Sequence, residues 1–434
     1  MATLLPTLAD EFTLSKVEQG LLASSFMIGY ALFSVVASML ASRWNRRALL
    51  TGGTCIWGFS CLIMASAEST ATLYVARAIS GVGEATYQSV APVLLAEAYG
   101  DKGGTRKMSI FYTAINIGFA FGILLGGIFT RWRILYFIEL VCSVIAIIGL
   151  YYMPQHFHEL KKEEDEPTVS IQQPGSKGSL GSIGSEWTKV KQIYKSSQWW
   201  YGSIANMFVT YTFGVISLWM PSYYRETFSD QMPYSMQAGL LAITLLISGT
   251  IGSILGDRLP KYYAGENYEK PHTLFALCGW ACILCLPCIA VSVGWTDRLA
   301  WSVGWLSIAL TLFAFLTIPN GMITVTSVPV ECRSYATSLG ILAIHIGGDM
   351  PSPIISSLIW QRTHNLKEAI LISCGGLILA ALIYARAYAR AYKRLQSSIP
   401  SAEETMYRAL DEEFKKIDKV DKGALVPSTT MVML

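Results

Sequence analysis

Long apolar runs recur along the chain, separated by short polar stretches that carry most of its arginine and lysine. A bilayer core about 30 Å thick needs about 20 mainly apolar residues per helix. On that scale the pattern predicts helices near 18–41, 48–67, 71–97, 108–130, 134–153, 199–222, 236–256, 272–294, 300–320, 335–360 and 367–391. The rhythm breaks over 154–198, which holds KKEEDEP (161–167) and the Gly/Ser-rich QQPGSKGSLGSIGS (172–185) and reads as a flexible polar linker. The predicted class is an all-α polytopic membrane protein. Its expected parts are an N-terminal transmembrane half (1–153), a cytoplasmic linker (154–198), a C-terminal transmembrane half (199–392) and a polar cytoplasmic tail (393–434).

Composition agrees with this class. The 434 residues are 52% hydrophobic and only 15% charged, against roughly 25% charged in soluble domains. A net charge of +3 is too small to argue for nucleic acid, and the loops show no basic cluster interleaved with aromatics. No GxxxxGK[ST] phosphate loop appears, so ATP-driven pumping has no support. Positive charge sorts the loops into two sets. One carries Arg43, Arg46, Arg47, Lys102, Arg106, Lys107, Arg258, Lys261, Lys270, Arg333, Lys393 and Arg394; the other carries Lys16, Arg131, Arg133, Arg225, Arg298, Arg362 and Lys367. The richer set is expected in the cytoplasm, which starts the chain on the far side. Cys278, Cys282, Cys285 and Cys288 have metal-like spacing but sit in an apolar helix without histidine or carboxylate, and read as packing residues. Met406, Leu410, Phe414 and Ile417 make an apolar stripe in a tail expected to be loosely ordered.

Two pairs of ionisable residues interrupt the apolar runs. In RAISGVGEATYQSVAP (77–92), Arg77 and Glu84 are seven apart, nearly two helical turns, hence on one face and about 10 Å apart along the axis. An ionised side chain at that depth costs at least about 2.5–3.5 kcal/mol, so such residues face a wet interior. Glu84 is the expected proton-coupling site, and Arg77 is expected to attract an anionic head group through bidentate hydrogen bonds. A purely structural Arg–Glu pair is the open alternative. His345 and Asp349 are four apart in a helix otherwise apolar from Leu339 to Ile346, and Pro351 and Pro353 follow. Carbonyls freed by those prolines are tolerable where they line a cavity. The expected substrate-binding set is therefore Arg77, Glu84, His345 and Asp349, with a His–Asp pair that serves packing alone as the alternative reading.

Several stretches resemble known families. SMLASRWNRRALL (38–50) and SILGDRLPKYY (253–263) resemble the cytoplasmic loop motif of the major facilitator superfamily, roughly G-x-L-A-D-R-x-G-R-R. Ser38 and Ser253 replace its leading Gly, and Ser42 stands where Asp is expected, while Asp257 and Arg258 keep the acid–base pair. The resemblance implies a cytoplasmic gate at Arg43, Arg46, Arg47, Asp257 and Arg258. GFAFGILLGG (118–127) places Gly118, Gly122 and Gly126 on one face, where small residues let helices approach closely; it is similar to the superfamily's fifth-helix motif, with Ile123 in place of proline.

GVGEATYQSVAPVLLAE (81–97), RKMSIFYTAINIGFAFG (106–122), TYTFGVISLWMP (210–221) and ATSLGILAIHIGGDMPSPII (336–355) look like the fourth, fifth, seventh and eleventh helices of the Spinster family. The resemblance covers residues 4 to about 390. It implies a major facilitator fold whose five and six predicted helices correspond to helices 2–6 and 7–12. The apolar stub Ala2–Ala9 is too short to span, so a truncated start that omits the first helix and its Asp–Arg pair is the expectation, with a true eleven-helix protein as the open alternative. The implied activity is secondary active transport of a lysophospholipid or sphingolipid by alternating access, coupled to protons. The protein is expected to be no enzyme, to need no cofactor, to act as a monomer in the lipid bilayer, and to reside in a lysosomal, late endosomal or plasma membrane. Tyr211, Phe213, Trp219 and Met220 would line a path for the acyl chain or face lipid. Two other readings stay open. A carrier of a small hydrophilic solute would cluster amides, whereas Asn116, Asn206 and Asn320 lie singly along the chain; a non-transporting scaffold or sensor would bind without flux.

Overall fold

The computed structural model describes residues 1–41, 44–129, 131–153, 182–265, 268, 270–295 and 297–398. Arg43, the run 161–167, most of 172–185 and the stripe from Met406 to Ile417 therefore lie outside the described residues. The first helices are α1 (Leu5–Glu11), α2 (Lys16–Ala41), α3 (Arg46–Ala65), α4 (Thr70–Ile128) and α5 (Trp132–Tyr151). Then come α6 (Ser182–Lys195), α7 (Ser197–Thr227), α8 (Tyr234–Ala264), α9 (Pro271–Gly294) and α10 (Leu299–Thr326). α11 (Arg333–Ile344), a π-turn (His345–Asp349), α12 (Pro351–Thr363), α13 (Leu366–Ser373) and α14 (Gly376–Ser398) complete the chain. Seven stretches are long and apolar enough to cross a membrane among the described residues, so this is a multi-pass integral membrane protein.

All eleven expected spans fall on helical backbone, with two differences in how they are joined. The spans predicted at 71–97 and 108–130 belong to one helical stretch, α4. A straight helix of its 59 residues would be about 88 Å long. Yet Phe111 packs on the cluster that holds Val90 and Leu94, so the stretch turns back on itself between Leu94 and Phe111. The span at 335–360 is likewise one run, α11 to α12, with the π-turn inside it. Caps set the starts: Asn45 accepts from the amides of Arg47 and Ala48, Ser69 from Thr72, Ser196 from Trp199, and Asn365 from Lys367 and Glu368. Each satisfies amides that have no partner inside the helix.

The end of the expected linker is helical. α6 carries Ile183, Trp187, Val190 and Ile193 at helical spacing, a signal masked by the neighbouring Gly/Ser run. Ile193 is fully buried in a cluster with Trp199, Val328, Cys332 and Ala336, and Cys332 Sγ lies 3.1 Å from Gln192 Oε1.

α2, α3, α4 and α5 pack among themselves, as do α7, α8, α9, α10 and α14. Two seams join these sets, α2 with α12 and its π-turn, and α4 with α8. At one end both are tight. Gly20 lies against Pro353 and Ser357, Gly127 against Ala238, and Arg225 pairs with Asp10 at 3.0 Å. Elsewhere on the same helices packing is loose: Leu32 of α2 is 72% exposed, and Gly118 and Gly122 have no neighbour within 4 Å of an added Cβ. The close approach expected of the glycine stripe is therefore met only at Gly126, which lies against Thr3.

Candidate functional site

The site is built on the contact of α2 with α4. An added Cβ on Gly81 would lie 2.7 Å from the backbone nitrogen of Tyr30, and one on Gly83 would lie 2.8 Å from Trp57 Cβ of α3. Both glycines thus let α4 wedge between two backbones. Glu84 follows directly, half-buried, with Gln88 Nε2 donating to its Oε1 at 3.3 Å. Across the seam, His345 and Asp349 lie on the π-turn, where Met350 N bonds back to His345 O at 3.0 Å. Pro353 has no N–H to give the carbonyl of Asp349; Ser352 Oγ takes that place at 3.1 Å. Gly347 and Gly348 let the turn press on Met207 and Thr210 of α7. Single π-turns inside α-helices are frequent at functional sites.

His345 Nδ1 lies 2.8 Å from Asp349 Oδ2, and both side chains are about one-fifth exposed, at 20% and 19%. The edge of Tyr30 meets the His345 ring at 4.9 Å between centroids. The carboxylates of Glu84 and Asp349 both lie within electrostatic range of the Tyr30 hydroxyl. Tyr30 is thus the junction between an acid of the first set of helices and a His–Asp pair of the second. Sequence reasoning missed it, because a single tyrosine in an apolar helix carries no signal until its neighbour across the seam is known. Ser24 Oγ, donating to Met350 O at 2.8 Å, ties the same two elements one turn and a half away.

Arg77 belongs to a separate group. Its guanidinium lies 4.7 Å from the centroid of the Phe26 ring, and Arg77 and Glu139 together act on Tyr136 and Cys61. Arg77 Nε is buried and has no hydrogen-bond partner among the described residues. Arg77 and Glu84 share a helix, but only Glu84 lies within electrostatic range of Tyr30, the residue that meets His345.

Asn206 and Asn320, which stand singly in sequence, are paired: Asn320 Nδ2 donates to Asn206 Oδ1 at 3.0 Å, and Tyr384 Oη donates to Asn320 Oδ1 at 2.5 Å. Cys278 reaches the same Oδ1 at 3.9 Å, so one of the α9 cysteines is a weak donor in this network. Trp219 and Met220 are buried at 1% and 2% and line neither lipid nor a path; Trp219 Nε1 donates to Ser356 Oγ at 2.7 Å. Of the expected gate residues, Asp257 pairs with Lys261 in its own helix at 2.6 Å rather than across the halves. Arg47 donates to the carbonyl of Tyr151 and covers its ring. Arg46 is the first residue of α3, and Arg258 lies in the last two turns of α8.

The comparisons with known proteins agree with this architecture. The model of the Major Facilitator Superfamily matches residues 1–350. Spinster homolog 1 of Xenopus laevis is 23% identical over 396 residues, covering 85% of this chain and 70% of that protein. Human Spinster homolog 3 is 25% identical over 384 residues, covering 83% and 71%. The sphingosine-1-phosphate transporter SPNS2 of Xenopus tropicalis is 24% identical over 393 residues, covering 84% and 71%. Among solved structures, an inward-facing, unoccupied bacterial homologue of the human lysosomal transporter Spinster superposes with a TM-score of 0.75 at 17% identity, covering 92% of this chain and 94% of that one. The nucleoside transporter NupG superposes with a TM-score of 0.68 at 13% identity, covering 89% and 94%. The chain belongs to the major facilitator superfamily of membrane transporters, and its relatives there are Spinster proteins.

Proposed function

We propose that the chain moves a single-chain lipid with a phosphate-bearing head, a lysophospholipid or a sphingolipid phosphate, by alternating access, and that Glu84 couples this movement to protons. The observation that carries the reading is the junction at Tyr30, whose ring meets that of His345 across the seam of the two helical sets and whose hydroxyl lies within electrostatic range of Glu84 and Asp349. Rocking one set against the other separates Tyr30 from His345 and changes what surrounds Glu84. Glu84 is half-buried at the closed seam, where desolvation disfavours its ionised form, so a proton on Glu84 favours the closed seam and its loss favours the open one. The buried, unpartnered Nε of Arg77 supplies a donor for an anionic oxygen. The relative named as a sphingosine-1-phosphate transporter supports the choice of cargo, and the human lysosomal transporter to which the solved bacterial protein is homologous supports an endomembrane.

The test is uptake of labelled sphingosine phosphate and lysophosphatidylcholine into proteoliposomes under an imposed pH gradient. The wild type is expected to respond to the gradient, and Glu84→Gln to lose that response while exchange continues. Unchanged uptake by Glu84→Gln at every pH removes the coupling role. The Asn206–Asn320 pair favours a second reading, a hydrophilic cargo bound by amides. Uptake of a nucleoside or sugar with no uptake of lipid would select it. Binding without any flux would select a sensor.

A further inference from the structure

We propose that the groove between α7 and α14, at the end of the molecule that carries most of the positive charge, binds the phosphate head group of an anionic membrane phospholipid. Arg386, Arg390 and Arg394 repeat every four residues on α14, about 6 Å apart along one face, and all three are exposed. The antiparallel start of α7 runs beside them. Arg386 Nε lies 3.4 Å from Tyr201 Oη, the Arg390 guanidinium lies 5.3 Å from the Tyr201 ring centroid, and Arg394 Nη2 lies 3.2 Å from Ser197 Oγ. Lys195, exposed at the end of α6, adds a fourth cation two residues before Ser197. This is a basic cluster interleaved with an aromatic ring, hidden in the sequence because Arg386 and Arg390 sit inside the last apolar span.

Two observations point to a lipid phosphate as the occupant. No carboxylate among the described residues pairs with Arg386 or Arg390; their partner is the neutral Tyr201. The ladder also stands at the level of a head group. His272, the second residue of the span α9, meets the rings of Tyr388 and Tyr392 at 6.0 and 5.7 Å, so Arg386, Arg390 and Arg394 straddle the membrane boundary. A planar guanidinium forks onto phosphate through two parallel hydrogen bonds, and neighbouring forks on one groove can share one head group. Clusters of four or more basic residues at the cytoplasmic end of a span read as sites for anionic lipid. The site lies on the outer surface of the helical sets and is independent of the transport reading.

The test uses the full chain in neutral detergent, followed by thermal unfolding during titration with short-chain phosphatidic acid, phosphatidylcholine or inorganic phosphate. Phosphatidic acid is expected to stabilise the wild type at lower concentration than either of the others. Each basic residue near an anionic surface is worth about fivefold in partition, so Arg386→Gln with Arg390→Gln should raise the phosphatidic acid requirement more than about tenfold. Arg386→Lys with Arg390→Lys keeps the charge and loses only the fork, so its requirement should fall between the two; it also serves if the glutamine pair fails to fold. Arg298→Gln, at the opposite end of the molecule, should match the wild type. An unaltered phosphatidic acid response in both double variants overturns the proposal. So does equal stabilisation by phosphatidylcholine, which would remove the preference for anionic lipid, or by inorganic phosphate, which would make the occupant a free anion.

Discussion

The same substitution at two glycines should have opposite effects. At Gly81, an added Cβ would stand 2.7 Å from Tyr30 N and 3.1 Å from Phe26 C, both backbone atoms of α2. Backbone cannot rotate away as a side chain can. To restore an ordinary contact, which starts at 3.4 Å, α2 and α4 must separate by roughly 1 Å, and overpacking of this kind costs about 1–3 kcal/mol. Alanine is also the better helix former by about 0.8–1 kcal/mol, so the net loss at Gly81 ranges from near zero to about 2 kcal/mol. At Gly118 nothing lies within 4 Å, and only the helix-forming gain remains. Thiol-reactive dye labelling during heating of the purified protein reads this well, because Cys61, Cys278, Cys282, Cys285, Cys288, Cys332 and Cys374 are buried and become reactive only on unfolding. Gly81→Ala should unfold at lower temperature and lose transport, because it moves Tyr30 away from His345. Gly118→Ala should unfold at the same or higher temperature. If Gly81→Ala is as stable as Gly118→Ala, α2 and α4 do not meet where described and the geometry of the site is wrong.

Two further outcomes follow from the Glu11–Arg133 pair and from the amide network. Burial raises the carboxyl of Glu11, but hydrogen bonds from Trp132 and Arg133 and the Arg133 charge outweigh it and hold the group below its ordinary 4.5. A depressed folded value gives stability that is present above 4.5 and lost as pH falls through the folded value. The stability gap between wild type and Glu11→Gln should therefore be full at neutral pH and close on acidification below 4.5, measured as unfolding temperature against pH. Tyr384→Phe removes the phenol that donates to Asn320 at 2.5 Å. Interhelical hydrogen bonds in membrane proteins average about 0.6 kcal/mol with a maximum near 1.7, so the variant should lose about that much and no more, by denaturant titration.

Much of this was legible in the sequence, and the parts that were not share a cause. Apolar length placed every predicted segment on helical backbone, and seven of them are long and apolar enough to cross a membrane among the described residues, since that requirement comes from the bilayer and not from neighbouring helices. The positions of Glu84, His345 and Asp349 stood out because hydrocarbon penalises them. What joins these groups did not, because Tyr30 and the Asn206–Asn320 pair depend on which helices face each other, and spacing along one helix carries no such information. Arg77 shows the limit most plainly. Seven residues put it on the face of Glu84, yet its guanidinium stacks on Phe26 and it shares its electrostatic neighbours, Tyr136 and Cys61, with Glu139 rather than with Glu84. The turn inside α4 was expected as a loop between two helices, while the backbone keeps helical geometry through it. Trp219 looked like a lining residue because aromatics suit both greasy paths and packed seams; its bond to Ser356 decides for the seam.

The central claim is that Tyr30 borders a path that water reaches from alternate sides of the membrane. Cysteine in place of Tyr30, with the exposed Cys55 and Cys142 changed to serine, can be challenged with a membrane-impermeant thiol reagent from each side in turn. The account predicts labelling from both sides, with the balance shifted by cargo and by the pH gradient. No labelling from either side, with or without cargo, would show a dry packing contact at the junction and contradict the transport mechanism drawn from it.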